Sequence, residues 1–528
     1  MQAQDLAAQD FGSLPDLITM HARHTPERSA LQDEQQVMTY GALDALMNRV
    51  AASLQNAGVE PGQVIALCAP SSVHYAAVFL GALRAGVVVA PLSPSATPDS
   101  LQRMLIDAEA RLLFTDEASS QLLGTTLSPG VPHILFETVD ATTSTTKVIT
   151  TASITLADWL APEGTQPASY HLTPGHGFNI IYSSGTTGEP KGIVQSHGMR
   201  WAHIRRGAQY AYGTDSVALL STPLYSNTTL VVFLPTLAWG GLALLMPKFD
   251  AANYLRLAQT QRVSHTMLVP VQYQRLMAQP QFDSHDLTAF RFKFSTSAPF
   301  DAMLKADVLK RWPGALIEFY GMTEGGGTCI LEAHLHPDKL HTVGRPAEGH
   351  DIRLIDEAGQ QLPLGSTGEV VGHSPAMMTG YHKQAAKTRA AEWFDSTGKR
   401  FIRTGDVGRF DSAGFLTLLD RKKDMVISGG FNIYPSDLEA VLQRHPAVAE
   451  TAVVAVASKQ WGETPVAFVV RKTGYSETAE QLLMWSHAHL GKMQRLSDLR
   501  LVDELPRSAI GKVLKRELRD SFEILPTL

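Results

Sequence analysis

The sequence predicts an α/β protein with a large N-terminal domain and a small α+β C-terminal domain. Three observations carry that expectation. The first 250 residues alternate helical patterns with short β-rich runs, the pattern shifts from Gly365 onward to short strands and turns, and a compact stretch follows Asp420-Arg421-Lys422-Lys423-Asp424. That last stretch, of about 100 residues, is long enough for a domain with its own core. At 528 residues the chain exceeds what one hydrophobic core serves.

Each element follows from local pattern. Leu46 to Asn56 and Tyr75 to Arg84 read as helices, and Val64-Ile65-Ala66-Leu67 and Val87-Val88-Val89 read as strands. Such alternation predicts largely parallel sheets. Ser128 to Thr165, rich in Thr, Ser and Pro, is expected to be a surface excursion. The uncharged run Leu230 to Met246 approaches the roughly 18 residues of a membrane span, but Pro235, Thr236 and Gly240-Gly241 break it into a buried helix, a turn and a strand. Further on, Gly368-Glu369-Val370-Val371 and Gly414 to Leu418 predict strands, Ser436 to Gln443 a helix and Thr451 to Ala457 a strand. The domain boundary is expected between Lys422 and Lys423, dividing the chain into 1–422 and 423–528.

Composition narrows the function classes. With 18% charged and 44% hydrophobic residues the chain reads as an ordinary folded protein, and its net charge of −6 argues against a nucleic-acid partner. Arg507, Lys515, Arg516 and Arg519, near the end, are expected to be a solvated helix face, with Lys512 set apart from them. Two cysteines, Cys68 and Cys329, allow no disulfide framework and no Cys-based zinc site, which suits a reducing compartment. Met1 to Ile18 contains Asp5, Asp10 and Asp16 and no basic-then-apolar leader, and Pro526-Thr527-Leu528 is not the peroxisomal address. The expected location is the cytoplasm, with no membrane span, and a homodimer is compatible with the pattern.

The most informative stretch is Tyr182-Ser183-Ser184-Gly185-Thr186-Thr187-Gly188-Glu189-Pro190-Lys191-Gly192, fed by the strand-like run Phe178-Asn179-Ile180-Ile181. By composition it is a phosphate loop. Small residues let backbone N–H groups approach an anion, the hydroxyls of Ser183, Ser184, Thr186 and Thr187 can donate to phosphoryl oxygens, and Lys191 adds positive charge. Neither Gly-x-x-x-x-Gly-Lys-Ser/Thr nor the Gly-x-Gly-x-x-Gly dinucleotide signature can be aligned with it.

This loop resembles the signature loop of the adenylate-forming superfamily, which includes acyl-coenzyme A synthetases, peptide-synthetase adenylation domains and firefly-type luciferases. Further blocks similar to that family's follow in order: Leu83-Arg84-Ala85-Gly86 through Pro91-Leu92, Pro223-Leu224-Tyr225, Ser297-Ala298-Pro299, Tyr320-Gly321-Met322-Thr323-Glu324, Arg403-Thr404-Gly405-Asp406, Asp420-Arg421 through Gly429-Gly430, and Gly511-Lys512. The resemblance spans nearly the whole chain. It implies an N-terminal domain of two α/β sheet subdomains plus a small β-barrel-like one, and a mobile C-terminal domain.

The resemblance also implies roles. Tyr320 would lie against adenine, Thr323 would meet the α-phosphate and Glu324 would hold Mg²⁺, which prefers oxygen ligands and keeps several waters. Ser297-Ala298-Pro299, Gly321 and Glu318 would border the nucleotide, Glu318 standing where relatives often carry Asn, Asp or Gln. Asp406 would accept the ribose hydroxyls, with Arg421 as a second ribose or phosphate contact. Lys512 would reach the site during adenylation, when an ammonium stabilises the charge built by one anion attacking another. The C-terminal domain would swing about Lys423, exchanging the Lys512 face for that of Gly429-Gly430, where glycines would let a pantetheine arm pass. Trp461 would stack on the adenine of coenzyme A, Arg495 would contact its 3′-phosphate, and Met493 occupies a place where an aromatic often stands.

Acid specificity is expected from Tyr225-Ser226-Asn227-Thr228-Thr229, Met267 to Tyr273, Ser295-Thr296-Ser297 and Gly325-Gly326-Gly327-Thr328. No Asp follows Pro223-Leu224-Tyr225 to hold a substrate ammonium, and many aryl and acyl ligases carry His where this chain has Ser226. These small, neutral or apolar residues fit an aryl, alicyclic or medium-chain acid. The implied activity is an ATP-dependent acid:coenzyme A ligase using ATP, Mg²⁺ and coenzyme A, the alternative being a stand-alone adenylation enzyme that loads a carrier protein. A luciferase-like oxygenase and a catalytically silent nucleotide-binding protein are weaker rivals. A hydrolase is disfavoured because Pro375 follows Ser374 in Gly372-His373-Ser374-Pro375-Ala376 and has no N–H for an oxyanion hole. His334 and His336 lack an evident third metal ligand.

Overall fold

The computed structural model describes residues 5, 9–123, 131–136, 153–183, 190–422, 424–428, 431–458, 461–490, 494–508 and 511–524. It divides into two compact units. The first comprises residues 1–340, 347–351 and 373–402, and the second 341–346, 352–372 and 403–528. The expected boundary at 422–423 therefore falls within the second unit.

The first unit contains two mixed sheets. One runs Gly380–Tyr381, Lys191–Ser196, Gly177–Ser183, Val88–Pro91, Val64–Cys68, Leu113–Thr115, His133–Leu135 and Ser153–Thr155. The other runs Thr328–Glu332, Ala315–Gly321, Phe292–Ser295, His265–Leu268, Val217–Leu220, Leu242–Leu245, Ser29–Gln32 and Val37–Thr39. Most pairings are parallel; the antiparallel ones lie at both ends of the second sheet and at the Gly380–Tyr381, Lys191–Ser196, Gly177–Ser183 end of the first. Interior strands such as Val64–Cys68 are buried along their whole length, so they read as continuous apolar runs instead of alternating ones.

Helices Leu14–His24, Tyr40–Asn56, Val73–Arg84, His197–Arg206 and Asn227–Ala238 share one continuous core with strands of both sheets. Their starts are set locally: Ser13, Thr39, Ser72, Ser196 and Ser226 each turn a hydroxyl back to an N–H of the first turn. The run Leu230 to Met246 folds as expected, with the helix ending at Ala238, Gly240 in a turn at φ +84° and the strand starting at Leu242. No helix among the described residues is long and apolar enough to cross a membrane.

Ser128 to Thr165 departs from the expected excursion. Of that stretch 128–130 and 137–152 lie outside the described residues, but His133–Leu135 and Ser153–Thr155 pair in parallel and extend a sheet. Short three-residue strands carry too little periodicity to stand out from Thr-rich surroundings.

In the second unit, Leu416–Arg421 pairs antiparallel with Arg400–Phe410 in the small β-rich sheet, the division between units passing through the latter strand after Ile402. The strand expected from Gly414 starts two residues later, because Gly414, at φ +80°, belongs to the turn. A second sheet joins Phe431–Ile433, Val426–Ser428, Gly462–Arg471, Val448–Ser458 and Asp498–Leu501. Separate apolar clusters serve it, one with helices Pro435–Leu442 and Ala479–His489, the other with Lys515–Ile524. Arg507 and Lys515, expected on a solvated face, pair instead with Glu450 at 2.5 Å and Glu439 at 2.9 Å.

Candidate active site

Strands Gly177–Ser183 and Lys191–Ser196 form an antiparallel hairpin in which Ser183 stands opposite Lys191. Ser184, Gly185, Thr186, Thr187 and Gly188, the tip of the phosphate loop, lie outside the described residues, as does the Ser183 side chain. The hairpin delivers Lys191 from the start of its return strand. Its Nζ lies 3.5 Å from Glu324 Oε1 and 3.8 Å from the centre of the Tyr381 ring. The Tyr381 hydroxyl donates to the same Glu324 oxygen at 2.9 Å. Burial, followed by the Glu324 charge, pushes the Tyr381 phenol well above its ordinary value, so it is a fixed donor. Tyr381 was not among the sequence candidates.

Glu324 is held by its backbone. Its carbonyl accepts from Met378 N–H at 2.8 Å, and its side chain keeps 11% of its surface. Gly325 follows at φ +72°, and a Cβ there would stand 1.9 Å from the Ala376 carbonyl oxygen. Glycine is needed at this position for both conformation and space. Ser374, the serine of the hydrolase-like sequence, donates from Oγ to the Gly325 carbonyl at 2.7 Å and is buried. It is a brace for this turn.

Thr323 sits one residue before, its carbonyl accepting from Gln195 Nε2 at 2.8 Å. Gln195 also reaches Asn227 Oδ1 at 3.4 Å, and Arg200 Nη1 donates to that oxygen at 2.9 Å. Thus the strand Lys191–Ser196 and helix His197–Arg206 tie Thr323 to Asn227 at the start of the next helix. Ser226, offered as an acid contact, is buried and caps that helix by accepting from Thr228 N–H at 3.3 Å. Tyr225 is half-buried and its phenol is raised by burial, with hydrogen bonds from Ser93 and Ser95 opposing.

Ser297 has φ +80°, unusual for a side-chain-bearing residue, and its Oγ lies 2.6 Å from Thr228 Oγ1. Ala298 is half-buried and Pro299 exposed. Tyr320 is half-buried on strand Ala315–Gly321 and Gly321 is exposed at its end. Glu318, on the same strand, was expected to face adenine. The structure gives it another partner: it is buried and ion-paired with Lys305, which is itself buried on helix Ala302–Arg311 and also donates to the Leu340 carbonyl at 2.7 Å. Burial raises the Glu318 pKa and Lys305 opposes that rise.

In the second unit Asp406 and Arg421 stand opposite each other on paired strands, Arg421 Nε lying 3.2 Å from Asp406 Oδ1. Beside them Glu369 takes Arg403 at 2.6 Å and Lys422 at 3.3 Å. Its burial would raise the carboxyl, but the two cations outweigh it and hold the group low. Lys512 is half-buried in a turn, its carbonyl accepting from Ser508 N–H at 2.8 Å and its own N–H bonded to Ser508 Oγ at 3.2 Å. Trp461 is 49% exposed and Arg495 is exposed. Lys423, Gly429, Gly430 and Met493 lie outside the described residues.

Comparison with known proteins shows the family. Residues 18–382 match the family described as AMP-binding enzyme, and residues 437–512 its C-terminal domain. A feruloyl-CoA synthase of an Amycolatopsis species is 30% identical, over 97% of this chain and 99% of the relative. The fatty acid–[acyl-carrier-protein] ligase ScoC of Streptomyces coeruleorubidus is 29% identical, over 96% and 95%. The ATP-bound MatB of Rhodopseudomonas palustris superimposes with a TM-score of 0.83 at 27% identity, over 97% of this chain and 99% of that one. The chain belongs to the AMP-binding enzyme family, among its acyl- and aryl-coenzyme A ligases.

Proposed function

We propose that this protein activates a carboxylic acid with an apolar body, aryl, alicyclic or medium-chain, as its acyl-adenylate and then transfers the acyl group to coenzyme A. The observation that supports this most is the group of Lys191, Tyr381 and Glu324 at the base of the phosphate-loop hairpin. In the first half-reaction the acid's carboxylate oxygen attacks the α-phosphorus of ATP and pyrophosphate leaves. In the second, a thiolate attacks the acyl carbon and AMP leaves. Lys191 and Lys512 supply positive charge where charge builds in the first step.

Glu324 fits a Mg²⁺ ligand: it is a carboxylate with one oxygen bonded by Tyr381 and some surface retained, and one protein carboxylate is enough beside phosphate oxygens. When bound, Mg²⁺ would neutralise charge on the leaving pyrophosphate. Asp406 and Arg421 would hold the ribose. A domain boundary at 422–423, rotating about Lys423, would exchange Lys512 for Gly429-Gly430 between the steps.

A second reading, transfer to a carrier protein, draws on the likeness to ScoC. Trp461 and Arg495, both exposed, favour coenzyme A as the acceptor whose adenine and 3′-phosphate they would meet. The test is a carboxylic-acid panel assayed for pyrophosphate release and AMP formation, with coenzyme A, with a phosphopantetheinylated carrier protein, and with neither. Thioester formed only on the carrier would overturn the coenzyme A assignment, and no pyrophosphate release with any acid would overturn acid activation.

A further inference from the structure

Helix His197–Arg206 carries Arg200, bonded to Asn227, His203 beside it, and Arg206, facing the His350 that accepts from Thr328; none of the three is paired with a carboxylate among the described residues. Arg200 is fully buried. Its donors go to the Asn179 Oδ1, Gln195 Oε1 and Asn227 Oδ1 oxygens and to His203 Nδ1, all neutral acceptors. Burial alone pushes its guanidinium down to about 9. Its charge is hydrogen-bonded but not neutralised, and leaving a buried charge without a counter-ion is costly.

Arg206 and His350 add a sharper observation. The Thr328 backbone N–H donates to His350 Nδ1 at 2.9 Å, so Nδ1 is an acceptor and the ring's proton is on Nε2. Nε2 faces Arg206 Nη2 at 3.4 Å. Arginine is always a donor, so two N–H donors point at each other with no acceptor between them. Burial, then the charges of Arg206 and His373, hold His350 down to about 4, which keeps it neutral in this form. His203 lies close enough that Arg200, Arg206 and His350 all depress it further, after burial, which is the largest cause. Arg206, His203 and His350 each keep some accessible surface, so a solute can reach them.

We propose that the acid carries a second carboxylate, at the end away from the reacting one, and that it is received between Arg206 and His350. This rests on the reading of the chain as an acid-activating enzyme and adds the substrate's far end to it. The reacting carboxylate belongs with Lys191 and Thr323. Gln195, bonded to both the Thr323 carbonyl and Asn227, separates that end from the Arg200 end. An oxygen anion between Arg206 and His350 turns the facing donors into two charge-assisted hydrogen bonds and supplies the missing negative charge. The body of the acid remains apolar. The substrate class is a dicarboxylic acid, aliphatic or aromatic.

The test compares each diacid with its own monomethyl ester, which matches its shape and lacks the second charge. Adipic, suberic and terephthalic acids and their half-esters, together with hexanoic, octanoic and benzoic acids, are assayed for pyrophosphate release. The expected result is a kcat/KM at least about tenfold higher for the best diacid than for its half-ester, since a site of paired donors rejects analogues lacking the acceptor. Arg206→Met should bring that ratio to about one, and Arg206→Lys, which keeps the charge, should retain part of it. Equal use of diacid and half-ester by the parent, or an unchanged ratio in Arg206→Met, overturns the inference while leaving acid activation in place. If no acid of any kind releases pyrophosphate, the acid-activating reading fails and this inference with it.

Discussion

Replacing Gly325 with alanine should damage adenylation far more than it damages the fold. A Cβ at this position would lie 1.9 Å from the Ala376 carbonyl oxygen and 3.0 Å from Met199 Cε, and real Cβ contacts almost never fall below 3.0 Å. The backbone atom cannot rotate away, so the turn must shift by about 1 Å, carrying Thr323 and Glu324 with it. Misplacement of that size costs about 10²-fold in rate, or about 2.7 kcal/mol in the barrier. The conformation at φ +72° adds about 1–2 kcal/mol of strain for a residue with a Cβ. Gly164→Ala is the control: its φ is +77° but nothing lies within 4 Å, so it carries the strain without the clash. Pyrophosphate release, with a melting curve for each variant, measures both effects. Gly325→Ala should lose about 10²-fold in kcat/KM and Gly164→Ala should adenylate normally with a slightly lower melting midpoint. If Gly325→Ala adenylates within about threefold of the parent, the turn does not position these residues as argued.

Lys512→Ala should nearly abolish adenylate formation yet leave thioester formation from supplied acyl-adenylate largely intact, and equal loss in both half-reactions would remove this lysine from its proposed role. Glu324→Gln should shift the Mg²⁺ dependence of adenylation to higher concentration, because an amide oxygen has no net charge for a hard cation; an unchanged titration would exclude Glu324 as the ligand. Lys423→Pro fixes φ near about −65°, so adenylation should survive within about tenfold while acyl transfer to coenzyme A falls much further. Transfer at the parent rate would mean that the chain does not turn at this residue.

The α/β class, the sequence of helices and strands, and the break in Leu230 to Met246 were legible in the chain itself, because each depends on spacing within a short window and on turn residues such as Gly240. The family was legible too, since its blocks are local runs around glycines, hydroxyls and single charges, and the matches over residues 18–382 and 437–512 show that family. What spacing cannot report is which side chains meet. Tyr381 bonds a carboxylate 57 residues away, and Arg206 faces a histidine 144 residues away. Neither carries a local signature. Glu318 reads as a nucleotide contact by its place beside Tyr320, but its face of the strand is covered by the helix bearing Lys305. The residues expected to hold the acid read as neutral because they are small and polar or apolar, and no local pattern shows that Arg200, on helix His197–Arg206, bonds one of them, Asn227. Periodicity decides which face of an element is buried, and only tertiary packing decides what that face is buried against and whether a charge there finds its counter-ion.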